Sequence, residues 1–319
     1  MKESSKKRES KNYGAMQRDY GVEKLSECAE LFLPWLIPKE LANVSCTCKA
    51  LRTIADSIQR RRCLDASRSL EATAVPFHNP LKHPPYHYFL YSTSQFISTP
   101  QSSSFPPRQF WGGFNSSASL SKKIYNPYSP SCSCAVSEDI MVDCGEQCLT
   151  RGGISLKLKV IWGEKKGWGL FAGQAIPKHQ FICKYAAYVA GELLTTEEAR
   201  NRQKVYDSLS RVEKFSAALL VVREHLPSGK ACLRMNIDGT RIGNIARFIN
   251  HSCDGGNLLS AVIRSCDSVL PRLCFFSGRE IEEDEELTFS YGEGRVRSNG
   301  AECFCGSSSC FGTLPSEHT

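Results

Sequence analysis

The chain has no run approaching the roughly eighteen consecutive apolar residues that a membrane-crossing helix needs. Its opening, Met1 to Tyr20, is polar and charged and lacks the apolar stretch of a secretory signal. Both absences lead us to expect a protein that stays inside the cell and touches no membrane. A strong charge imbalance is missing as well: 40 Lys plus Arg stand against 33 Asp plus Glu, a formal net charge of +7. Such an excess permits an acidic partner without arguing for one. The run Lys6-Lys7-Arg8 reads either as a nuclear-import element or as part of a disordered basic start over residues 1–20. Cysteine, by contrast, is abundant, with 16 in 319 residues. A reducing compartment keeps thiols free, so zinc ligands and buried packing residues explain them better than disulfides do. Hydrophobic residues make up 41% of the chain, enough for one large core or two modest ones.

Composition divides the rest. Residues 21–71 read as short amphipathic helices: Leu25, Cys28, Ala29, Phe32, Leu33 and Leu36 recur at three- and four-residue spacing, Pro38 falls at a helix start, and Leu41, Val44, Cys48, Leu51 and Ile54 continue the period. The run from Leu33 to Leu51 resembles the later part of an F-box, without that family's opening Leu-Pro. The resemblance implies docking on a ubiquitin-ligase linker subunit; the alternative is plain helical core. Residues 72–131 are rich in Pro, Ser and aromatics and read as a linker anchored through Phe110, Trp111 and Phe114. Cys132, Cys134, Cys144 and Cys148 follow within residues 132–154, the right number and reach for one tetrahedral thiolate zinc site.

From Ser155 the pattern becomes short strands. Leu156, Leu158 and Val160 alternate, Gly163 to Gly169 reads as a turn, and Phe181 to Glu192 as an apolar segment. Thr195 and Glu198 form a capping box that opens a helix through Tyr206, and residues 217–237 read as a hairpin. The stretch from Arg247 to Asn257 (Arg-Phe-Ile-Asn-His-Ser-Cys-Asp-Gly-Gly-Asn) then brings a cation, an amide, an imidazole and a thiol into a mostly apolar setting, where they need partners. Taken alone it reads equally as a strand end running into an Asx-rich turn. Two further segments break that tie: Gly167-Trp168-Gly169-Leu170-Phe171-Ala172 upstream and Glu286-Leu287-Thr288-Phe289-Ser290-Tyr291-Gly292 downstream, the latter followed by Cys303, Cys305 and Cys310.

This ordered set resembles the SET-domain protein lysine methyltransferases, over roughly residues 155–314. It is most similar to the plant group related to suppressor of variegation. The fold so implied is mainly β with an inserted helix, a SET-type folded sheet with a pseudoknot over residues 155–295, behind a small α-helical N-terminal segment. The function implied is S-adenosylmethionine-dependent methylation of histone H3 at its ninth-position lysine, in the nucleus on chromatin, with the H3 tail or nucleosome as partner. A non-catalytic adaptor that binds a peptide and recruits a ubiquitin ligase is the alternative.

By the same resemblance the backbone around Gly167 and Trp168, together with Lys166, Arg247, Asn250, His251 and Tyr291, holds S-adenosylmethionine. Tyr291 stands at the methyl-transfer point and Phe289 limits how many methyl groups fit. Cys253, Cys303, Cys305 and Cys310 bind a post-SET zinc whose tail, residues 296–319, folds over the lysine channel. Cys132 to Cys148 correspond to a pre-SET segment that in the family carries nine cysteines, so a single zinc, a shared zinc and an impaired remnant all stay open. One departure lies between Cys183 and Glu192, where the chain is four residues longer than the family pattern. Tyr185 keeps the spacing to Cys183 and Tyr188 lies nearer Gly191; on a strand they face opposite sides, so only one lines the channel.

Overall fold

The computed structural model describes residues 24, 27–79, 88–93, 153–185, 192–194, 197, 200–206, 218–225, 232–263, 272–292 and 301–315. Phe110, Trp111, Phe114, Tyr188, the capping box and Cys132 to Cys148 lie outside them. The chain divides into a smaller N-terminal unit ending at Arg62 and a larger unit beginning at Cys63.

In the smaller unit a 3-10 turn, Leu33–Trp35, precedes α1 (Pro38–Ser45) and most of α2 (Lys49–Leu64). Pro38 takes the first helical position, where its missing N–H costs nothing, and the Glu40 carboxylate accepts the orphan Ile37 N–H at 3.1 Å. Leu51, Ala55 and Ile58 share one face of α2 and bury it against Ala29, Leu33 and Leu41. One turn further, the buried Arg62 guanidinium donates to the Pro34 and Leu36 carbonyls at 2.9 and 2.8 Å, closing the turn onto the helix.

The larger unit is built of short strands: β1 (Phe77–His78), β2 (Leu90–Tyr91), β3 (Leu158–Gly163), β4 (Gly167–Ala172), β5 (Phe181–Lys184), β6 (Glu192–Leu194), β7 (Leu219–His225), β8 (Cys232–Asp238), β9 (Ile242–Gly243), β10 (Asn250–His251), β11 (Leu258–Ile263), β12 (Arg272–Ser277) and β13 (Thr288–Phe289). They pair in small sheets ordered β1-β3-β4, β11-β12-β5, β6-β8-β7, β2-β9 and β10-β13. Helical residues 200–206 follow β6. The fold is mainly β with an inserted helix. Its pseudoknot is the return of β13 from late in the chain to lie parallel to β10, with Asn250 opposite Thr288 and His251 opposite Phe289.

The expected hairpin is present as β7 and β8. Two readings need correction. The turn after β3 is shorter than Gly163–Gly169: only residues 164–166 turn, and pairing resumes at Gly163 opposite Gly167, with the Trp162 and Trp168 rings 5.2 Å apart. The span 72–131 is not wholly a linker. Val75, Phe77, Phe89 and Tyr91 are buried in the main core, and β1 and β2 pair in parallel with β3 and β9. The buried Asp65 carboxylate sets this up by accepting from the backbone N–H groups of Ser67, Ser69 and Val75 and from the Ser67 hydroxyl. Strands of two residues leave no alternation to read in a sequence.

Candidate active site

Three strands meet at the site. A 3-10 turn, Ile245–Phe248, capped by the Asn244 side chain on Ala246 N–H, delivers the chain into β10. Beyond it, Ser252 N–H donates to Phe289 O at 3.0 Å, and Asn257 binds β13 from both ends of its amide, accepting from Thr288 N–H and donating to Glu286 O. β4 closes against this crossing because Gly169 carries no side chain. A Cβ there would lie 2.8 Å from Glu286 Oε1 and 3.1 Å from Asn250 Nδ2. Glu286 uses the space to tie the turn before β4 to β10, accepting from Lys166 Nζ at 2.6 Å and from Asn250 Nδ2 at 2.8 Å.

The residues expected around a cofactor are therefore partly gathered. Lys166, Gly167 and Asn250 cluster through Glu286 and β4, with Gly167 at a positive φ of 76°. Trp168 offers only backbone, since its buried ring packs edge-on against Phe77 and Trp162. Arg247 is drawn inward: its guanidinium carbon lies 4.8 Å from the Phe89 ring centre and 5.2 Å from that of Phe248. Burial lowers its pKa to about 10, against the opposing pull of Tyr185 and Asp238.

A row of aromatic rings runs away from this cluster. Tyr185 neighbours Phe275 at 6.3 Å, Phe275 meets Phe289 at 4.7 Å, Phe289 meets Tyr291 at 5.0 Å, and Tyr291 meets His251 at 5.2 Å between ring centres. The Tyr291 hydroxyl donates to Ile249 O at 2.8 Å. Burial pushes the hydroxyl pKa values of both Tyr291 and Tyr185 well up, so both stay protonated at neutral pH. Buried among these neutral rings, an amine is desolvated, which disfavours its ammonium form. Burial also lowers the His251 pKa, keeping its imidazole neutral.

Cys253, Cys303, Cys305 and Cys310 bring their sulfurs within 4.8 Å of one another, with Cys253 and Cys303 3.8 Å apart. Sulfurs about 2.3 Å from a central zinc form a tetrahedron with edges of about 3.8 Å, so the set fits that ion. Burial pushes Cys303 up to about 12. At Cys305 burial acts the same way, but backbone N–H groups at Cys253 and Ser307 and the neighbouring thiols bring it down to about 6. Thiolate character in so tight a group calls for a cation.

Comparison with known proteins identifies the setting. The SET domain family model matches residues 167–292. Over 93% of its length the chain is 48% identical to the histone-lysine N-methyltransferase SUVR3 of Arabidopsis thaliana, covering 93% of that protein. The chain belongs to the SET-domain histone-lysine N-methyltransferases. The methyltransferase domain of human SETMAR superposes with a TM-score of 0.54 at 26% identity, covering 79% of this chain and 97% of that one. Arabidopsis thaliana SUVH6, solved in complex with SAM, shares the fold with a TM-score of 0.51 at 23% identity, over 78% of this chain and 55% of its own. Within this SET-domain enzyme, the matched span holds the whole aromatic row together with Asn250, His251 and Glu286; Lys166 and the three C-terminal cysteines flank it.

Three contributors carried no role in the sequence reading. Glu286 stood only as the first letter of a motif, and its bridging needs the close approach at Gly169. Phe275 sat unmarked in an apolar strand. Asp238 ends β8, and its buried carboxylate receives Arg202 Nη1 at 2.9 Å, Tyr206 Oη at 2.6 Å and Thr240 N–H at 2.9 Å, docking the inserted helix. An Asp-Gly pair closing a hairpin was the available signal.

Proposed function

We propose that this chain methylates the ninth-position lysine of the histone H3 tail, on nuclear chromatin, using S-adenosylmethionine. The observation that carries the reading is the buried row Tyr185–Phe275–Phe289–Tyr291, whose Phe289 lies in β13, paired with the strand that carries Asn250. The donor supplies an electrophilic methyl: the lysine nitrogen forms the new N–C bond as the S–C bond breaks, S-adenosylhomocysteine leaves and the nitrogen loses a proton.

The chain's own task is to hold a neutral amine in line. Removing a proton from lysine at pH 7 costs about 4–5 kcal/mol, and an apolar aromatic channel reduces that by disfavouring the ammonium. Tyr185 and Phe289 form its walls and Tyr291, anchored on Ile249, its end. The backbone of Gly167 and Trp168, with Lys166 and Asn250, faces the donor. Arg247 acts through the phenyl groups that enclose it. We assign the SET domain to residues 155–295 and a zinc-held closing tail to residues 296–319.

A methyl-transfer assay with labelled donor and histone H3 tests this reading. We expect transfer by the native chain and about hundredfold less in Tyr291→Phe, the scale of losing one hydroxyl aimed at the reacting centre. A native chain that binds the donor yet methylates no histone would favour the second reading, a peptide-binding adaptor. That reading is supported by the exposed Leu31 and Phe32, 70% and 40% accessible, just ahead of the F-box-like run, and predicts co-purification with a ubiquitin-ligase linker subunit.

A further inference from the structure

We infer that the His251 imidazole is a positioning bridge that ties Tyr291 to the four-cysteine cluster, so that metal occupancy sets where the tyrosine stands. His251 is 5% exposed, and both of its ring nitrogens lie against protein groups. Nδ1 accepts the Tyr291 backbone N–H at 3.1 Å, and Nε2 lies 3.3 Å from Cys253 Sγ. Because Nδ1 accepts, the proton of the neutral ring sits on Nε2, where it donates to sulfur, a bond that strengthens when the sulfur is a thiolate.

Strand alternation produces this division. In β10, Asn250 turns to Glu286 and β4, and His251 turns the other way, to the cluster. Tyr291 is held at its hydroxyl by Ile249 and at its ring by Phe289; the hold on its backbone N–H is the one that leads to the cysteines. An imidazole so occupied leaves a cofactor only the peptide groups of residue 251. The chemical importance of Tyr291 rests on the function proposed above, whereas the bridge is a matter of geometry.

Two substitutions cut the bridge at opposite ends. His251→Asn places a carbonyl oxygen close to the Nδ1 position, keeping the Tyr291 contact and losing the one to sulfur. His251→Gln places an amide N–H close to the Nε2 position and does the reverse. Zinc release from the loaded full-length chain into excess chelator is followed with a metallochromic dye. Tyr291 is followed by fluorine NMR of 3-fluorotyrosine-labelled chain, its signal assigned through Tyr291→Phe. We expect zinc release about tenfold faster in His251→Asn and within about twofold of native in His251→Gln. Metal removal should shift the Tyr291 signal in the native chain, and shift it by less than about half as much in either variant. Native-like release from His251→Asn, or an undiminished Tyr291 shift in both variants, would overturn the bridge. Neither readout needs turnover, so an inactive native chain would unseat the methyl-transfer reading and leave this test standing.

Discussion

The β10–β13 crossing and the cysteine tail lie side by side and are ordered by different means. At the crossing, Asn257, Ser252, Glu286 and Asn250 satisfy one another and the backbone, while Phe289 and Leu287 are buried beneath them. In residues 301–315 backbone hydrogen bonds join Cys303 to Gly312, Leu314 to Ala301 and Cys310 to Ser307, while Phe304 and Phe311 stand 40% and 64% exposed. Apolar burial cannot order such a segment. Zinc can, since a structural four-ligand site contributes on the order of 10 kcal/mol at neutral pH. The order of the crossing is stored in protein groups, and that of the tail in an ion.

The contrast breaks most visibly on chelation. Removing the metal is expected to abolish methyl transfer and to erase hydrogen-exchange protection at Cys303 and Leu314, while the amides of Ser252 and Asn257 keep theirs. Full activity in a strong chelator, or a tail that stays protected, would mean that the tail holds itself.

A second self-sufficient point sharpens the comparison. Asp238 docks the inserted helix with protein groups alone, receiving Arg202, Tyr206 and Thr240. Asp238→Asn leaves the Arg202 charge without its carboxylate and should cost about 2–3 kcal/mol in denaturant unfolding, a figure discounted because Arg202 is a third exposed. Burial first, and then the Asp238 carboxylate, push Tyr206 up to about 12. The folded protein keeps a proton that the unfolded chain gives up near pH 10. Stability from this group is therefore full below pH 10 and is lost as pH rises toward about 12, on the order of 2–3 kcal/mol. Unfolding titrations between pH 8 and 12, with Tyr206→Phe as control, measure it. Equal alkaline loss in the Phe variant would assign the effect to other tyrosines.

The same division explains what could be read in the sequence. Motifs fixed by chemistry were legible: the four cysteines after Asn250 come together, and Phe289 and Tyr291, named from one motif, have ring centres 5.0 Å apart. What depended on register was not. His251 looks like a ligand-facing imidazole in a polar run, whereas its two ring nitrogens meet the Tyr291 N–H and the Cys253 sulfur. Arg247 reads as a binding cation until Phe89, from a stretch of linker-like composition, covers it. Glu286 needed Gly169 to be placed beside it.

The smallest effect lies within the crossing itself. Glu286 joins a replaceable ion pair to a fixed hydrogen bond: Lys166 Nζ on one oxygen and Asn250 Nδ2 on the other, both side chains of the pair being partly exposed. In Glu286→Gln the amide oxygen still accepts from Asn250, whereas the amide nitrogen cannot accept from Lys166. Stability should fall by less than about 1 kcal/mol, as for other half-exposed pairs. The freed Lys166 is expected to raise the KM for the methyl donor about three- to fivefold, with little change in kcat, because it acts on binding and not on the transferred carbon. Glu286→Ala, which also strips Asn250 of its acceptor, should raise that KM further. If the two variants behave alike, Lys166 is the contact that counts and Asn250 is oriented by β4 alone; if Glu286→Gln is indistinguishable from native, the ion pair is ornament and the crossing is held by its amides.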